Sequence, residues 1–243
     1  MREGFFHIFI SYTKKIMFKS VLALFFPKVC VGCQSFLLAN ETVICTLCRH
    51  EMPLTKHHLN PKNEAFMKFY GRVPVEFVAT LLYYHKRGIV QEIIHSLKYR
   101  GQEEVGTIIG EWYADELKSI PKDIVFDAII PVPLHKKRFR ERGYNQVTTF
   151  GLGLSKNLNV PYNSGLLQRK IYSKTQVKKS FLGRTDVSDT LFDVNFDEKD
   201  HHKHYLLIDD VLTTGSTLEA CCRALLKIPG ARISIVCMAM SHS

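Results

Sequence analysis

At 243 residues the chain can hold one substantial core plus a small appendage, and a hydrophobic content of 46% excludes disorder as the default. Lys and Arg number 33 against 23 Asp and Glu, a formal charge of +10. That excess suits a polyanionic ligand, a nucleic acid or plain solubility, and alone it separates none of them.

In chain order, Phe5-Phe6-His7-Ile8-Phe9-Ile10 and Val21-Leu22-Ala23-Leu24-Phe25-Phe26 are apolar, but Thr13-Lys14-Lys15 and Lys19 separate them. Neither block can span a bilayer, and no small-residue cleavage site follows a continuous apolar region as a secretory signal requires. The expected location is therefore cytoplasmic, with no membrane insertion. Residues 16–26 read as a short helix packed on the fold, and the first 16 as an extension ahead of a start at Met17. Residues 1–29 together are read as an N-terminal extension.

Four of the seven cysteines fall as Cys30-x2-Cys33 and Cys45-x2-Cys48. Two facing knuckles offer the four thiolates of a tetrahedral Zn²⁺ site, and four protein ligands leave no open coordination position, so the metal would be structural. Gly32 is expected to ease the first turn. His50, His57 and His58 read as surface residues, His50 being a substitute ligand that the set does not require. Disulfides are disfavoured because nothing marks the chain for export, and a redox C-x-x-C lacks its usual context. The remaining cysteines, Cys221, Cys222 and Cys237, read as core. The polar stretch from Met52-Pro53 to Lys62-Asn63 reads as a linker. This gives a zinc module and linker over residues 30–62 and a large domain over 63–243.

In the large domain, Phe77 to Tyr84 reads as a strand. Ile89, Ile93, Ile94 and Leu97 recur at helical spacing and end near Lys98-Tyr99-Arg100-Gly101, with cations in the last turn and a terminating Gly. Val105, Ile108, Ile109 and Trp112 mark a second helix toward Leu117, ended by Pro121. Asp127-Ala128-Ile129-Ile130 is a strand running into Pro131-Val132-Pro133. After it, His135 to Gln146 reads as a basic, mobile loop carrying Lys136, Lys137, Arg138, Arg140 and Arg142, and a helix follows over 146–157. A second basic segment holds Arg169, Lys170, Lys174, Lys178, Lys179 and Arg184. Ile233 to Met240 is the final strand. The alternation of strands and helices predicts an α/β parallel sheet flanked by helices on both faces.

The densest signal is Tyr205-Leu206-Leu207-Ile208-Asp209-Asp210-Val211-Leu212-Thr213-Thr214-Gly215-Ser216-Thr217. An apolar run this short and uniform suits a central parallel strand, whose carboxyl end is where a ligand binds. Thr213, Thr214, Ser216 and Thr217 supply hydroxyls, and Gly215 lets the backbone approach and open a helix, which suits a phosphate. Asp209 and Asp210, the candidate catalytic pair, would accept hydrogen bonds from the vicinal hydroxyls of a ribose set between them and that phosphate. A lone Asp-Asp or Thr-Thr-Gly would be no more than a strand end and a helix cap. A Walker-type G-x-x-x-x-G-K-[ST] is absent, and Gly151-x-Gly153 lacks the rest of a dinucleotide fingerprint.

The string from Tyr205 to Thr217 resembles the phosphoribosyl pyrophosphate (PRPP) motif of type I phosphoribosyltransferases. Together with the cysteine module, Tyr84-x3-Gly88, Leu97-Lys98-Tyr99-x-Gly101, Pro131-Val132-Pro133-Leu134 and Arg138-x3-Arg142-Gly143-Tyr144-Asn145-Gln146, it resembles the competence protein F (ComF) family. The resemblance implies a type I phosphoribosyltransferase-like fold behind a zinc finger, and a link with DNA uptake in natural transformation. It also implies 5′-phosphate binding by Thr213 to Thr217. Val132, Pro133, Leu134, Arg138 and Arg142 would bind pyrophosphate, with Mg²⁺ entering alongside PRPP. Phosphoribosyl transfer is the expected activity. The alternative is a non-catalytic component that binds PRPP or a nucleotide, single-stranded DNA and a DNA-uptake helicase partner, with Phe139, Tyr144, Tyr172 and Phe181 as stacking candidates. The family's Arg…Gln…Arg-x-x-Asn segment is present as Arg169, Gln176 and Arg184, but Val187 stands in place of the Asn, with Asp186 its nearest polar neighbour.

Overall fold

The computed structural model describes residues 27–121, 124–170 and 191–241. The expected helix over 16–26, the start at Met17, and Tyr172, Lys174, Gln176, Lys178, Lys179, Phe181, Arg184, Asp186 and Val187 lie outside the described residues. The chain divides into two compact units, Met1–Glu51 and Met52–Ser243.

In the first unit a bridge pairs Val29 with Phe36, closing the first knuckle. The left-handed residue at this turn is Gln34, with φ 63°, rather than Gly32, whose amide donates to Cys30 Sγ at 3.4 Å. The second knuckle opens helix α1, Thr46–Glu51. Glu41 holds the approach to it, accepting from Leu38 N at 2.9 Å and Thr46 N at 2.6 Å.

The second unit begins at Met52, so the stretch read as a linker belongs to it. Polar composition suggested a spacer, but strand β1, Phe77–Tyr84, lies at one edge of the sheet and needs partners for its outer backbone groups. Residues 53–55 supply them: Thr55 N donates to Leu81 O at 2.9 Å and Tyr83 N to Pro53 O at 2.8 Å. Asn63 then caps the short helix α2, Glu64–Met67, while its amide donates to Val78 O at 2.8 Å. His57 and His58 are accordingly buried, not superficial, and His57 Nδ1 lies 3.1 Å from Thr80 Oγ1.

Beyond β1 come α3 (Ile89–Tyr99), α4 (Glu104–Leu117), β2 (Ala128–Pro131), α5 (Lys136–Arg142) and α6 (Val147–Leu158). A small antiparallel pair follows, β3 (Leu167–Arg169) with β4 (Phe192–Val194). The chain then forms β5 (His204–Leu212), α7 (Ser216–Leu225) and β6 (Arg232–Ser241). The main sheet has the order β1-β6-β5-β2 with every pairing parallel. Outside β2, Ile129 exchanges hydrogen bonds with Pro161 O and Asn163 N, which continues the sheet by one bridge.

The expected architecture is thus present, and the two central strands are buried on both faces. Tyr205 and Leu207 of β5 join Ile233 and Ile235 of β6 in a core that includes Leu218, Cys221, Cys222 and Leu225 of α7 and closes with Phe69, Leu167 and Phe192. Ile208 points to the other face, toward α6, where a Cβ on Gly151 would come within 2.7 Å of its Cδ1. Helices α4 and α6 cross there at close range. A Cβ on Gly153 would sit 2.7 Å from Thr107 O, so glycine is what lets the two backbones meet. Cys221, Cys222 and Cys237 are buried core residues as expected. Among the described residues no helix is long and apolar enough to cross a membrane.

Candidate active site and metal site

In a parallel sheet all strands end on one edge, and β5 and β2 are neighbours, so the loops that follow them flank one crevice. A pocket of about 460 Å³ opens there. From the β5 side come Asp209, Asp210, Val211, Thr213 and Thr217, and from the β2 side Val132, Pro133, Leu134, His135 and Arg138. Lys98, Gln146 and Arg169 complete the lining.

The turn after β5 is built as its sequence requires. Gly215 adopts φ 81° as the residue preceding α7, and a Cβ there would press on the Phe69 ring at 3.1 Å. Thr214 Oγ1 and Ser216 Oγ lie 3.1 Å apart, and Arg72 donates to Thr214 O at 3.1 Å. Arg72 is itself paired with Glu219, one turn into α7. Thr213 and Thr217 face the pocket, whereas Thr214, Gly215 and Ser216 shape the turn without lining it.

The segment after β2 departs from expectation. Instead of a mobile loop, Lys136–Arg142 forms helix α5, because His135 Nδ1 accepts from Lys137 N at 3.1 Å at its start and Gly143, with φ 81°, ends it. The helical turn points Arg138 into the pocket and takes Arg142 out of it. Arg142 donates to Gln146 Oε1 at 2.6 Å and lies 5.0 Å over the Tyr99 ring. Asn145 ties the segment back to the strand end, donating to Val132 O at 3.1 Å.

The two carboxylates are not equivalent. Asp210 is buried at 6% exposure, with Oδ1 2.8 Å from Lys98 Nζ and Oδ2 2.6 Å from Gln146 Nε2. Asp209 Oδ1 accepts from the Asp210 amide at 2.8 Å. Burial and then the neighbouring Asp210 charge push the Asp209 carboxyl up to about 7, against the pull of that amide and of Lys98 and Arg138. Burial also lowers the Arg169 guanidinium, which Arg138 further disfavours, while its plane lies 5.2 Å over Phe192. Arginines that repel one another beside a pocket favour an anion between them.

Lys98, Gln146 and His135 had no assigned role in the sequence reading. The sequence presents Lys98 as a helix-terminating cation. The available signal was its place in Leu97-Lys98-Tyr99-x-Gly101, whose purpose becomes visible only when β5 lies opposite α3.

In the first unit the Sγ atoms of Cys30, Cys33, Cys45 and Cys48 all lie within 4.8 Å of one another. Cys33 and Cys45 Sγ are 3.7 Å apart, near the roughly 3.8 Å that Zn–S bonds of 2.3 Å give in a tetrahedron. Backbone amides of Gly32 and Cys45 point at Cys30 Sγ, and that of Cys48 at Cys45 Sγ, all at 3.3–3.4 Å. The donor set fits a structural divalent metal.

The fold and the pocket define an α/β protein with a polar pocket at the carboxyl edge of a parallel sheet, preceded by a four-cysteine module. In sequence the chain is similar to curated competence and DNA utilization proteins. It is 28% identical over 200 residues to the competence protein ComFC of Bacillus subtilis, covering 82% of this chain and 78% of that one. To the DNA utilization protein YhgH of Escherichia coli K12 it is 24% identical over 227 residues, covering 87% and 96%. Among solved structures, it is similar to the adenine phosphoribosyltransferase of Leishmania tarentolae, with a TM-score of 0.35 and 15% identity over 58% of this chain and 73% of that one. The strand order β1-β6-β5-β2 with parallel register throughout makes the sheet a parallel α/β one. No protein-family profile matches the chain.

Proposed function

We propose that this chain binds PRPP with Mg²⁺ and transfers its phosphoribosyl group to a nucleophile with release of pyrophosphate, in the service of DNA uptake or utilization. The observation that carries the reading is the convergence of Asp209, Thr213 and Thr217 with Val132 to Leu134 and Arg138 on one polar pocket, joined by Lys98 and Arg169. A ligand with phosphate at one end, pyrophosphate at the other and a ribose between matches that order of groups.

Thr213, Thr217 and the amides opening α7 would hold the 5′-phosphate, with Gly215 allowing the close approach. Asp209 would accept from the ribose hydroxyls. The backbone of Val132 to Leu134, with Arg138 and Arg169, would take the pyrophosphate, so that departing negative charge meets fixed cations. Mg²⁺ bound with the substrate would supply further neutralisation of pyrophosphate and keep part of its water shell. The chain's own contribution is orientation and charge complementarity. In the first unit Zn²⁺ is the metal that four thiolates in this geometry favour, and its role there would be structural.

Calorimetric titration with PRPP and Mg²⁺, with pyrophosphate release followed across candidate acceptors, tests the reading. Binding that disappears in Asp209→Asn supports the site, and release supports turnover. No binding by folded, metal-loaded protein sinks it.

A second reading is favoured by one feature: α5 presents Lys136, Lys137 and Arg140 to solvent beside a half-exposed Phe139, next to the pocket. A cationic helix with an exposed ring is suited to single-stranded DNA, with PRPP or a nucleotide as a regulatory ligand and no turnover. Tyr144 is less available than the sequence implied, since its hydroxyl donates to Leu97 O. DNA affinity that falls steeply with salt and drops on neutralising α5 would favour this reading, and salt-insensitive binding would refute it.

A further inference from the structure

Resting on the PRPP reading above, we propose that Asp210 is a positioning carboxylate and that Asp209 alone of the pair meets the ribose, because Leu97-Lys98-Tyr99 and Arg142 to Gln146 form a clamp around Asp210. Adjacent acids on a strand project to opposite sides, so they enter different surroundings. Asp210 enters a clamp that occupies each of its oxygens, Lys98 Nζ at 2.8 Å on one and Gln146 Nε2 at 2.6 Å on the other. Each oxygen keeps a second lone pair and Asp210 borders the pocket, but at 6% exposure it offers a ribose hydroxyl little open surface. Drawing Lys98 away would leave a buried charge without its partner, which a neutral hydroxyl does not replace.

The clamp closes on itself. Gln146 Oε1 accepts from Arg142, Arg142 also donates to Tyr99 Oη at 3.3 Å, and Tyr99 is the residue after Lys98. Tyr144 donates to Leu97 O, so three consecutive residues at the end of α3 are gripped by side chains from β5, from the last residue of α5 and from the segment after it. Two motifs that no single element explains therefore serve one purpose: they lock α3 and the pyrophosphate-side helix to the strand that carries Asp209. Asp209, by contrast, has no side-chain partner at bonding distance among the described residues. The charged groups facing it are Asp210 on its own strand, Lys98 from α3 and Arg138 from α5, with the thiols of Cys237 from β6 and Cys221 from α7 behind it.

The test is a pair of double-mutant cycles on the full, metal-loaded chain. In ligand-free urea unfolding, Asp210→Asn and Lys98→Met should each lower the midpoint, and the double variant should lose far less than the sum, a coupling of about tenfold in the folding equilibrium. Asp209→Asn should not lower it. In titrations with PRPP and Mg²⁺, Asp209→Asn should weaken binding by about 100-fold. Asp210→Asn and Lys98→Met should each weaken it by about tenfold, again without adding, and Lys98→Arg should restore affinity to near wild type. Asp210→Asn that weakens binding as much as Asp209→Asn does, with Lys98→Met adding to it, makes Asp210 a ribose ligand and overturns the proposal. Additive unfolding losses overturn the clamp. A wild type that takes no PRPP overturns the ligand assignment and the reading it rests on, whereas the unfolding cycle, run without ligand, still decides the clamp by itself.

Discussion

In the four-cysteine unit the described apolar residues that reach the interior are Cys30, Val31, Val43, Cys45 and Cys48, while Phe36, Leu38 and Leu47 stay 62–72% exposed. In the larger unit, buried aliphatic and aromatic residues run without interruption from Phe69 through both central strands to Met240. Three of the five interior residues of the small unit are also proposed metal ligands, so the groups that fill its centre are the groups that bind. A segment too short to bury a core must be held by bonds, whereas a sheet covered on both faces holds itself by area removed from water.

The largest expected effect breaks this comparison at its weaker side. Stripping the metal with a strong chelator, or substituting Cys45→Ser, should abolish structure in the first unit, since structural zinc sites contribute about 10–16 kcal/mol. The larger unit should keep its unfolding transition and the proposed PRPP site. Elemental analysis paired with amide exchange checks both halves, and a joint collapse of the two units would deny the division of labour.

The next perturbation acts on the stronger side. Phe150 on α6 is fully buried and stacks with Tyr113 at 6.5 Å between ring centroids. Phe150→Ala should cost about 3–5 kcal/mol of unfolding free energy in denaturant, with metal content unchanged. A loss below about 1 kcal/mol would mean that the α4–α6 contact is looser than its glycine crossing implies.

Within the larger unit, Asp209 sharpens the contrast between what stabilises and what functions. Its carboxyl is raised to about 7, so above the ordinary carboxylate pKa of about 4 the folded chain holds a proton that the unfolded chain releases. Stability is therefore lost as pH rises from about 4 through about 7. Asp209→Asn removes that loss. It should stabilise the ligand-free protein by roughly 2 kcal/mol at pH 8 and by almost nothing at pH 4, while weakening PRPP binding by about 100-fold at pH 8 and far less at pH 4, where the wild-type carboxyl is itself neutral. A thermal-shift series across pH reads the first effect and calorimetry the second.

How far the sequence led depends on the distance over which each feature is decided. The strand from Tyr205, the turn at Gly215 and the helix after it are written in adjacent residues, and all three form as expected. The cysteine pairs gather because spacing alone brings two knuckles together. Lys98 was legible only as a helix-end cation, since its partner Asp210 lies more than a hundred residues on. Arg142 was assigned to the pyrophosphate because charge carries no phase. Once Gly143 ends a helix there, Arg138 and Arg142 occupy different positions around it, and only Arg138 faces the pocket. The stretch 52–63 misled for the converse reason: polar residues can serve a sheet edge through their backbone and short side chains, and composition does not register that use.

The smallest expected effect concerns how the phosphate turn is braced. Arg72, after α2, donates to Thr214 O at 3.1 Å and pairs with Glu219, which also holds Arg223 at 2.9 Å. These groups are partly exposed, so Arg72→Ala should change stability by less than about 1 kcal/mol. Its consequence should appear instead in binding, because Thr214 precedes the glycine whose backbone conformation presents the α7 amides to a phosphate. A loss of about three- to tenfold in PRPP affinity, with the unfolding midpoint nearly unmoved, is the expected pattern. Matching losses in both measurements would make Arg72 an ordinary tie between α2 and α7. Unchanged affinity would mean that Gly215 and Phe69 fix the turn unaided, as the 3.1 Å clearance between the ring and a Cβ at Gly215 would then be enough to explain.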